Sequence, residues 1–211
     1  MTTLNDIESL VDDRPADGVF RVRREIFTDP AIFDLEMKHI FGGTWLFIGL
    51  ESQVAKRHDF FTASIGTQPL IVMRDGDGQL GCFLNTCRHR AAVVTSMQTG
   101  NQRVHVCPYH GWTYTSGGRN CAIPKTDSGS YPPSFAAENH DLIPVARFEN
   151  YRGMLFASLS AAVPPLRDHL GEARILLDLL IDQSPEGLEF VPGTVSYTFD
   201  GNWKLQIDNP L

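Results

Sequence analysis

Four side chains in two short segments carry the most specific chemistry in this sequence. They are Cys87 and His89 in Cys87-Arg88-His89, and Cys107 and His110 in Cys107-Pro108-Tyr109-His110. Each segment brings one thiolate and one imidazole to a turn, and seventeen residues separate His89 from Cys107. Two thiolates and two imidazoles suit a [2Fe–2S] cluster in which one iron takes both sulfurs and the other both nitrogens. Neutral imidazole in place of thiolate removes negative charge, which makes reduction easier. The Cys and His of each segment then serve different irons, so two loops must face each other across the cluster. The same inventory also suits a tetrahedral zinc shell, which stays open as a structural zinc module. Zinc sites, however, usually pair C-x2–4-C with H-x3–5-H, and two mixed pairs are unusual for that metal.

A scaffold with two protruding loops has to position these donors, and the pattern around them is β-like. Thr44–Leu50, Pro69–Arg74, Leu80–Thr86, Val104–Cys107, Trp112–Thr115 and Gly153–Leu159 read as short strands. Asp75-Gly76-Asp77-Gly78 reads as a hairpin turn, Ser116-Gly117-Gly118 as another, and Pro124–Phe135 as a proline-rich loop. Residues 1–20 are polar and read as a mobile arm. Asp29 can cap a helix whose first turn accepts Pro30. Phe33, Met37, Ile40 and Phe41 follow at helical spacing until Gly42-Gly43. After Pro164-Pro165, Leu166, Leu170, Ala173, Leu177 and Leu180 predict one helix of about four turns. Thr194–Asp200 then alternates as a strand. The expected division is an arm and docking helix at 1–43, a mostly β domain at 44–160, and an incomplete α+β domain at 161–211.

Composition excludes several classes. The 211 residues are 42% hydrophobic and 20% charged, with a formal net charge of -7. An acidic chain with no Lys/Arg run is no nucleic-acid binder. No segment is long and apolar enough for a membrane span, and the acidic N-terminus has no secretory-signal pattern, so the expected address is cytoplasmic. In a reducing compartment Cys82 and Cys121 are expected as core or loop thiols rather than a disulfide.

The loop pair, read as CRHRAA at 87–92 and CPYHGW at 107–112, resembles the Rieske signature of aromatic-ring-hydroxylating dioxygenase large (alpha) subunits. Outside the loops, Ile26–Pro30, Ala146–Glu149, Asp182–Glu189 and Gly201–Gln206 resemble the benzoate, toluate, anthranilate and halobenzoate branch. High-potential respiratory Rieske proteins add a cysteine in each loop where this chain has Ala92 and Tyr109, and a serine where it has Trp112. The comparison implies a low-potential, disulfide-free centre. One departure concerns Ala91, where the family usually has Gly, a residue suited to positive φ or a close approach.

What the resemblance implies is an electron-transfer role. A reductase of flavin or ferredoxin type supplies electrons to the [2Fe–2S] cluster on Cys87, His89, Cys107 and His110. His110 is the exit toward a mononuclear Fe(II) in a neighbouring subunit, reached through a bridging Asp. There, O2 and an aromatic carboxylate give a cis-dihydrodiol. Two His and one carboxylate hold such an iron, and in the family they lie past the position of Leu211, so this chain reads as the N-terminal portion of a larger subunit. The resemblance also implies a homo-oligomer, a trimer, with or without a small beta subunit. A stand-alone Rieske-type ferredoxin is the other open reading, disfavoured by residues 1–43 and 161–211, which a small carrier does not need.

The remaining histidines have plainer readings. His39 is expected on the surface or in packing. His105, between Val104 and Val106, is expected to face solvent or an interface. His58, His140 and His169 lie in polar surroundings without a partner motif. Trp112, beside His110, is expected to shield the cluster. Arg88 and Arg90 read equally as solvated charges or as interface residues.

Overall fold

Short strands from Leu46 to Ser158 assemble into three antiparallel sheets, and the helices around them are brief. The structure is a computed structural model, and it describes residues 4–126, 131–193 and 198–208. Contacts divide the chain into two units: residues up to Phe41 together with those from Pro192, and Gly42–Val191.

In the first unit, the arm expected to be mobile forms a helix, α1 (Leu4–Glu8), and a hairpin of β1 (Val11–Arg14) and β2 (Val19–Val22). All four β1 residues are exposed, so no apolar alternation announced the strand. Backbone pairing holds it, with Arg14 bridging Asp12 and Asp17 at 2.8 Å each. A short α2 (Glu25–Thr28) precedes α3 (Pro30–Glu36). Asp29 caps α3 as expected, its carboxylate accepting from the Ala31 N–H at 2.9 Å, with Pro30 in the first turn. The turn Met37–Phe41 is π-helical. The buried residues are Ile32 and Glu36, one turn apart on α3, while Phe33 and Ile40 are exposed. Glu36 accepts from Trp203 Nε1 at 2.9 Å and pairs with Lys204. Those partners lie just before α6 (Leu205–Asp208). The strand expected over Thr194–Asp200 falls mostly on residues 194–197, which lie outside the described residues; residues 198–200 are not a strand.

In the second unit, β3 (Leu46–Leu50) is the first strand, and β4 (Asp59–Ile65), β5 (Gln68–Arg74), β6 (Leu80–Leu84) and β7 (Thr99–Asn101) form a four-stranded sheet in the order β6-β5-β4-β7. The β5–β6 turn is set by Asp75, whose Oδ1 accepts from the N–H of Asp77 and Gln79 at 2.8 Å. A smaller sheet joins β8 (Val104–Val106), β9 (Thr113–Thr115) and β10 (Asn120–Ala122), with β9 central. A third sheet runs β11-β12-β3, with β11 at Arg147–Tyr151 and β12 at Met154–Ser158.

Among the described residues, two of this unit's apolar clusters lie near the loops and the third sheet. One joins Phe60, Ile71, Met73, Cys87, Val94, Cys107, Trp112, Tyr114 and Leu142. The other joins Trp45, Tyr151, Phe156, Val163 and Leu166. The Trp45 indole donates to Pro164 O at 2.7 Å, tying the segment after β12 to the sheet. The single helix expected after Pro165 is two, α4 (Leu166–Leu170) and α5 (Ala173–Ile181). Gly171, at φ +50°, breaks the helical path between them. On α5, Ile181 is buried, whereas Ile175, Leu176, Leu179 and Leu180 stand exposed.

Arg74 at the end of β5 donates to Val54 O and Gly78 O and pairs with Glu51 at 2.7 Å. The Arg74 hydrogen bond holds the Glu51 carboxyl below its usual range, against the opposing effect of burial. A depressed folded-state value stabilises the fold above the unfolded Glu pKa and is lost as pH falls through the folded value. Glu51→Gln is therefore expected to flatten the acid limb of the stability profile below about pH 4.5. Half-exposure limits the effect to about 1 kcal/mol or less. Denaturant midpoints at pH 7 and pH 3.5 measure it.

Candidate metal centre

The two donor segments close by the same backbone hydrogen bonds. In the first loop the Cys87 N–H donates to Ala92 O at 2.8 Å, and the Ala91 N–H donates to Cys87 O at 2.9 Å. In the second, the Cys107 N–H donates to Trp112 O at 2.8 Å, and the Gly111 N–H donates to Cys107 O at 3.0 Å. Each loop thus turns on a residue four positions after its cysteine, and that residue has positive φ: Ala91 at +57° and Gly111 at +73°. The loops differ in where the histidine sits, two positions after Cys87 and three after Cys107.

Their shared backbone brings the four side chains together in an ordered way. Cys87 and Cys107 are buried, and His89 and His110 are exposed. The two imidazole centroids are 4.7 Å apart at an interplanar angle of 84°. Among the described residues, no three His, Cys, Asp or Glu side chains form a group suited to one metal ion. An inner pair of sulfurs and an outer pair of nitrogens instead match the donor division of a two-iron cluster.

The sulfur side is dry and hydrogen-bonded. The Tyr114 hydroxyl lies 3.2 Å from Cys87 Sγ and accepts from the Arg88 N–H at 3.0 Å. A Cys87 thiolate has no proton to give, so toward it the phenolic hydroxyl is the donor. Burial pushes the Cys87 thiol up, and the Tyr114 hydrogen bond pulls the other way. Tyr114 was not foreseen as a site residue, although a signal existed. Trp112 immediately precedes β9 and Tyr114 is its middle residue, and this spacing of two puts both on the inward face.

On the outer side, Trp112 stacks on His89 with centroids 5.1 Å apart at 14°. Its indole is 3% exposed, so it covers the imidazole from within the core, as the expected shielding role requires. His140, expected in polar surroundings, packs edge-on to Trp112 at 5.4 Å, and its Nε2–H donates to Phe135 O, 2.8 Å away. His58 shares a 2.8 Å hydrogen bond with Ser116.

His105 corrects the expected orientation of β8. It is 1% exposed, while Val104 and Val106 face outward at 46% and 54%. Its cross-strand partner is the buried Tyr114, and Phe60 meets its ring edge-on at 4.8 Å. Neither ring nitrogen has a hydrogen-bond partner among the described residues, and burial lowers its pKa to about 4. It stays neutral at physiological pH and acts as a core ring. The Cys82 thiol is buried in β6 and pushed up to about 12 by desolvation, and Cys121 is exposed on β10. Neither belongs to the donor group.

Ala91 holds a conformation that glycine adopts freely and alanine does not. Ala91→Gly is expected to stabilise the folded chain by about 0.5–1 kcal/mol, the relief of left-handed strain less the entropy glycine adds to the unfolded state. Urea unfolding of the two proteins measures it, and an equal or lower midpoint would count against strain at Ala91.

Comparison with known proteins places these loops in context. The Rieske [2Fe-2S] domain model matches residues 44–148. The chain is 45% identical over 207 residues to the toluate 1,2-dioxygenase subunit alpha of Pseudomonas putida, covering 98% of this chain and 46% of that protein. It is 44% identical over 209 residues to the anthranilate 1,2-dioxygenase large subunit of Acinetobacter baylyi, covering 98% and 44%. The structure resembles naphthalene 1,2-dioxygenase from Rhodococcus sp. with a TM-score of 0.81 and 36% identity, over 89% of this chain and 42% of that one. The chain thus spans somewhat under half the length of the relatives it matches. Among the described residues, no helix is long and apolar enough to cross a membrane.

Proposed function

The chain belongs with the large subunits of aromatic-ring-hydroxylating dioxygenases and carries a Rieske [2Fe-2S] domain at residues 44–148, and on that premise we propose that Cys87, His89, Cys107 and His110 hold its cluster and that the chain passes electrons to oxygen chemistry. The observation that carries the assignment is the pair of like-hydrogen-bonded loops, which set two buried sulfurs beneath two exposed imidazoles in contact. When bound, the cluster supplies reversible one-electron transfer.

The chain's own residues divide the work. Cys87 and Cys107 give the thiolates on the buried side, where the Tyr114 hydroxyl, 3.2 Å from Cys87 Sγ, is placed to donate to the thiolate. His89 and His110 give the imidazoles on the exposed side, each through one ring nitrogen, leaving the other for a hydrogen bond. His110 is the proposed exit: among the described residues its ring contacts are T-shaped, with His89 and Tyr109, and it is exposed and so open to a partner's carboxylate. The dry wall of Trp112, Tyr114, Phe60 and Met73 keeps water from the sulfurs.

For the longer protein the proposal is NAD(P)H-dependent dihydroxylation of an aromatic carboxylate at a mononuclear Fe(II) outside residues 1–211. Benzoate, halobenzoate and anthranilate are the substrate candidates, since the relatives named for toluate, 2-halobenzoate and anthranilate are 42–45% identical to this chain. Its partners are a flavin- or ferredoxin-type reductase and further copies of the subunit, as a trimer in the cytoplasm. Residues 44–160 are the proposed Rieske division, and 161–211 the beginning of the catalytic one.

Purified protein tests the cluster assignment directly. It is expected to be brown and, after reduction, to give a rhombic EPR signal with about two irons per chain. A colourless protein holding one zinc would overturn it.

A further inference from the structure

We propose that Trp112 is a positioning residue that fixes the ring plane of His89, so that the two cluster imidazoles are held unequally, His89 rigidly and His110 loosely. The inference rests on the ligand assignment above and adds a division of labour within it.

Trp112 belongs to one loop and braces the ligand of the other. Its carbonyl closes the second loop by accepting from the Cys107 N–H at 2.8 Å. Its indole lies nearly parallel to the His89 ring, at 5.1 Å and 14°. Stacking of this kind opposes tilting of the imidazole about its χ2 axis, a torsion that is otherwise broad. The indole in turn cannot retreat. Phe135 and His140 meet it edge-on, at 6.0 Å and 78° and at 5.4 Å and 76°. These two rings pack against each other at 4.2 Å, and the His140 ring is anchored to Phe135 O through Nε2. Four rings thus form a continuous buttress from His89 into the segment Pro133–His140.

Among the described residues no ring stacks on His110. Its ring contacts are edge-on, with His89 at 84° and with Tyr109 at 77°, and Tyr109 is itself 71% exposed. Both imidazoles are exposed, but the braced one rests a face on a buried indole. The imidazole without a brace is the one left to adapt to a partner.

The test is the pair of histidine nitrogen couplings in the reduced holoprotein, read by pulsed EPR on wild type, Trp112→Leu, Trp112→Phe and Phe135→Leu. These couplings report the orientation of each imidazole at its iron. Trp112→Leu is expected to broaden or shift one of the two couplings at least twofold beyond the wild-type spread while leaving the other unchanged. Trp112→Phe, which restores an aromatic face, is expected to recover most of the wild-type value. Phe135→Leu loosens the buttress without touching either loop, and is expected to move the same coupling by less. Its result decides the matter should Trp112→Leu lose its cluster. Couplings that stay at wild-type values in both leucine variants, or that move together, would reduce Trp112 to ordinary core. Absence of a rhombic signal in the wild type would instead remove the ligand assignment itself.

Discussion

Cys107→Ala is expected to lose at least tenfold of its bound iron, and with it the brown colour, and Cys87→Ala to do the same. In the proposed assignment each thiolate is one of the two protein ligands of one iron, and a methyl group supplies no electron pair in its place. Both cysteines are also buried, so truncation leaves a small cavity that costs about 1 kcal/mol or more whatever the metal does. Cys82 separates the two effects. It is buried to the same degree, at 3% exposed, but lies in β6 outside the donor group. Cys82→Ala is expected to keep its iron while paying the same packing penalty. His89→Ala and His110→Ala complete the comparison from the other side. Both rings are exposed, so their loss removes little core packing, yet iron content is expected to fall as steeply as in the cysteine variants. Iron and sulfide analysis beside thermal unfolding of each protein reads the outcome. Retention of a full complement of iron in Cys107→Ala would sink the ligand set.

Tyr114→Phe is expected to lower the reduction potential by roughly 40 mV. With Cys87 bound as a thiolate, the hydroxyl 3.2 Å away is the donor, and a hydrogen bond to a ligand sulfur favours the more negatively charged, reduced state. Hydrogen bonds to charged groups are worth about 1.5–3 kcal/mol, and only the part that differs between oxidation states counts. Taking that part as about 1 kcal/mol, and 59 mV per tenfold change for one electron, gives the figure. Phenylalanine keeps the ring that packs against Cys87, Trp112 and His105, so the loops should keep their shape. The lost oxygen also leaves the Arg88 N–H without its acceptor, but Arg88 lies at the surface, where water can replace it. An EPR-monitored redox titration of the two proteins checks the shift. A change under about 10 mV would mean that the phenolic proton points elsewhere.

The proposed donor set could be read from the sequence because metal chemistry restricts residue type and spacing more tightly than packing does. Two mixed Cys/His pairs have few explanations, and the loops they imply are the loops observed. Strands with apolar runs, such as Gln68–Arg74 and Met154–Ser158, were equally visible. The failures share a cause: alternation shows that a strand has two faces without showing which is inside. In Val104-His105-Val106 the two valines seemed the inward pair, yet the ring of His105 faces Tyr114 and Phe60. A large aromatic neighbour on the next strand decided the orientation. The β1–β2 hairpin had no apolar signal to read, being held by its ladder and by Arg14. The break at Gly171 was overlooked because the leucines on either side keep helical spacing across it. Tyr114 stood two residues past a flagged tryptophan, and its role emerged only with the distance to Cys87.

The outward side chains of α5 bear on how this polypeptide behaves as a colloid. Ile175, Leu176, Leu179 and Leu180 are 49–70% exposed and make a greasy strip on a molecule of net charge -7. Mutual repulsion keeps such particles apart only while their charges are felt, and at 0.1 M salt that reach shrinks to about 10 Å. Sulfate and similar salts would also strengthen the pull of strip on strip. Dilute, low-salt, mildly alkaline buffer is thus the medium in which the 211-residue chain should stay dispersed.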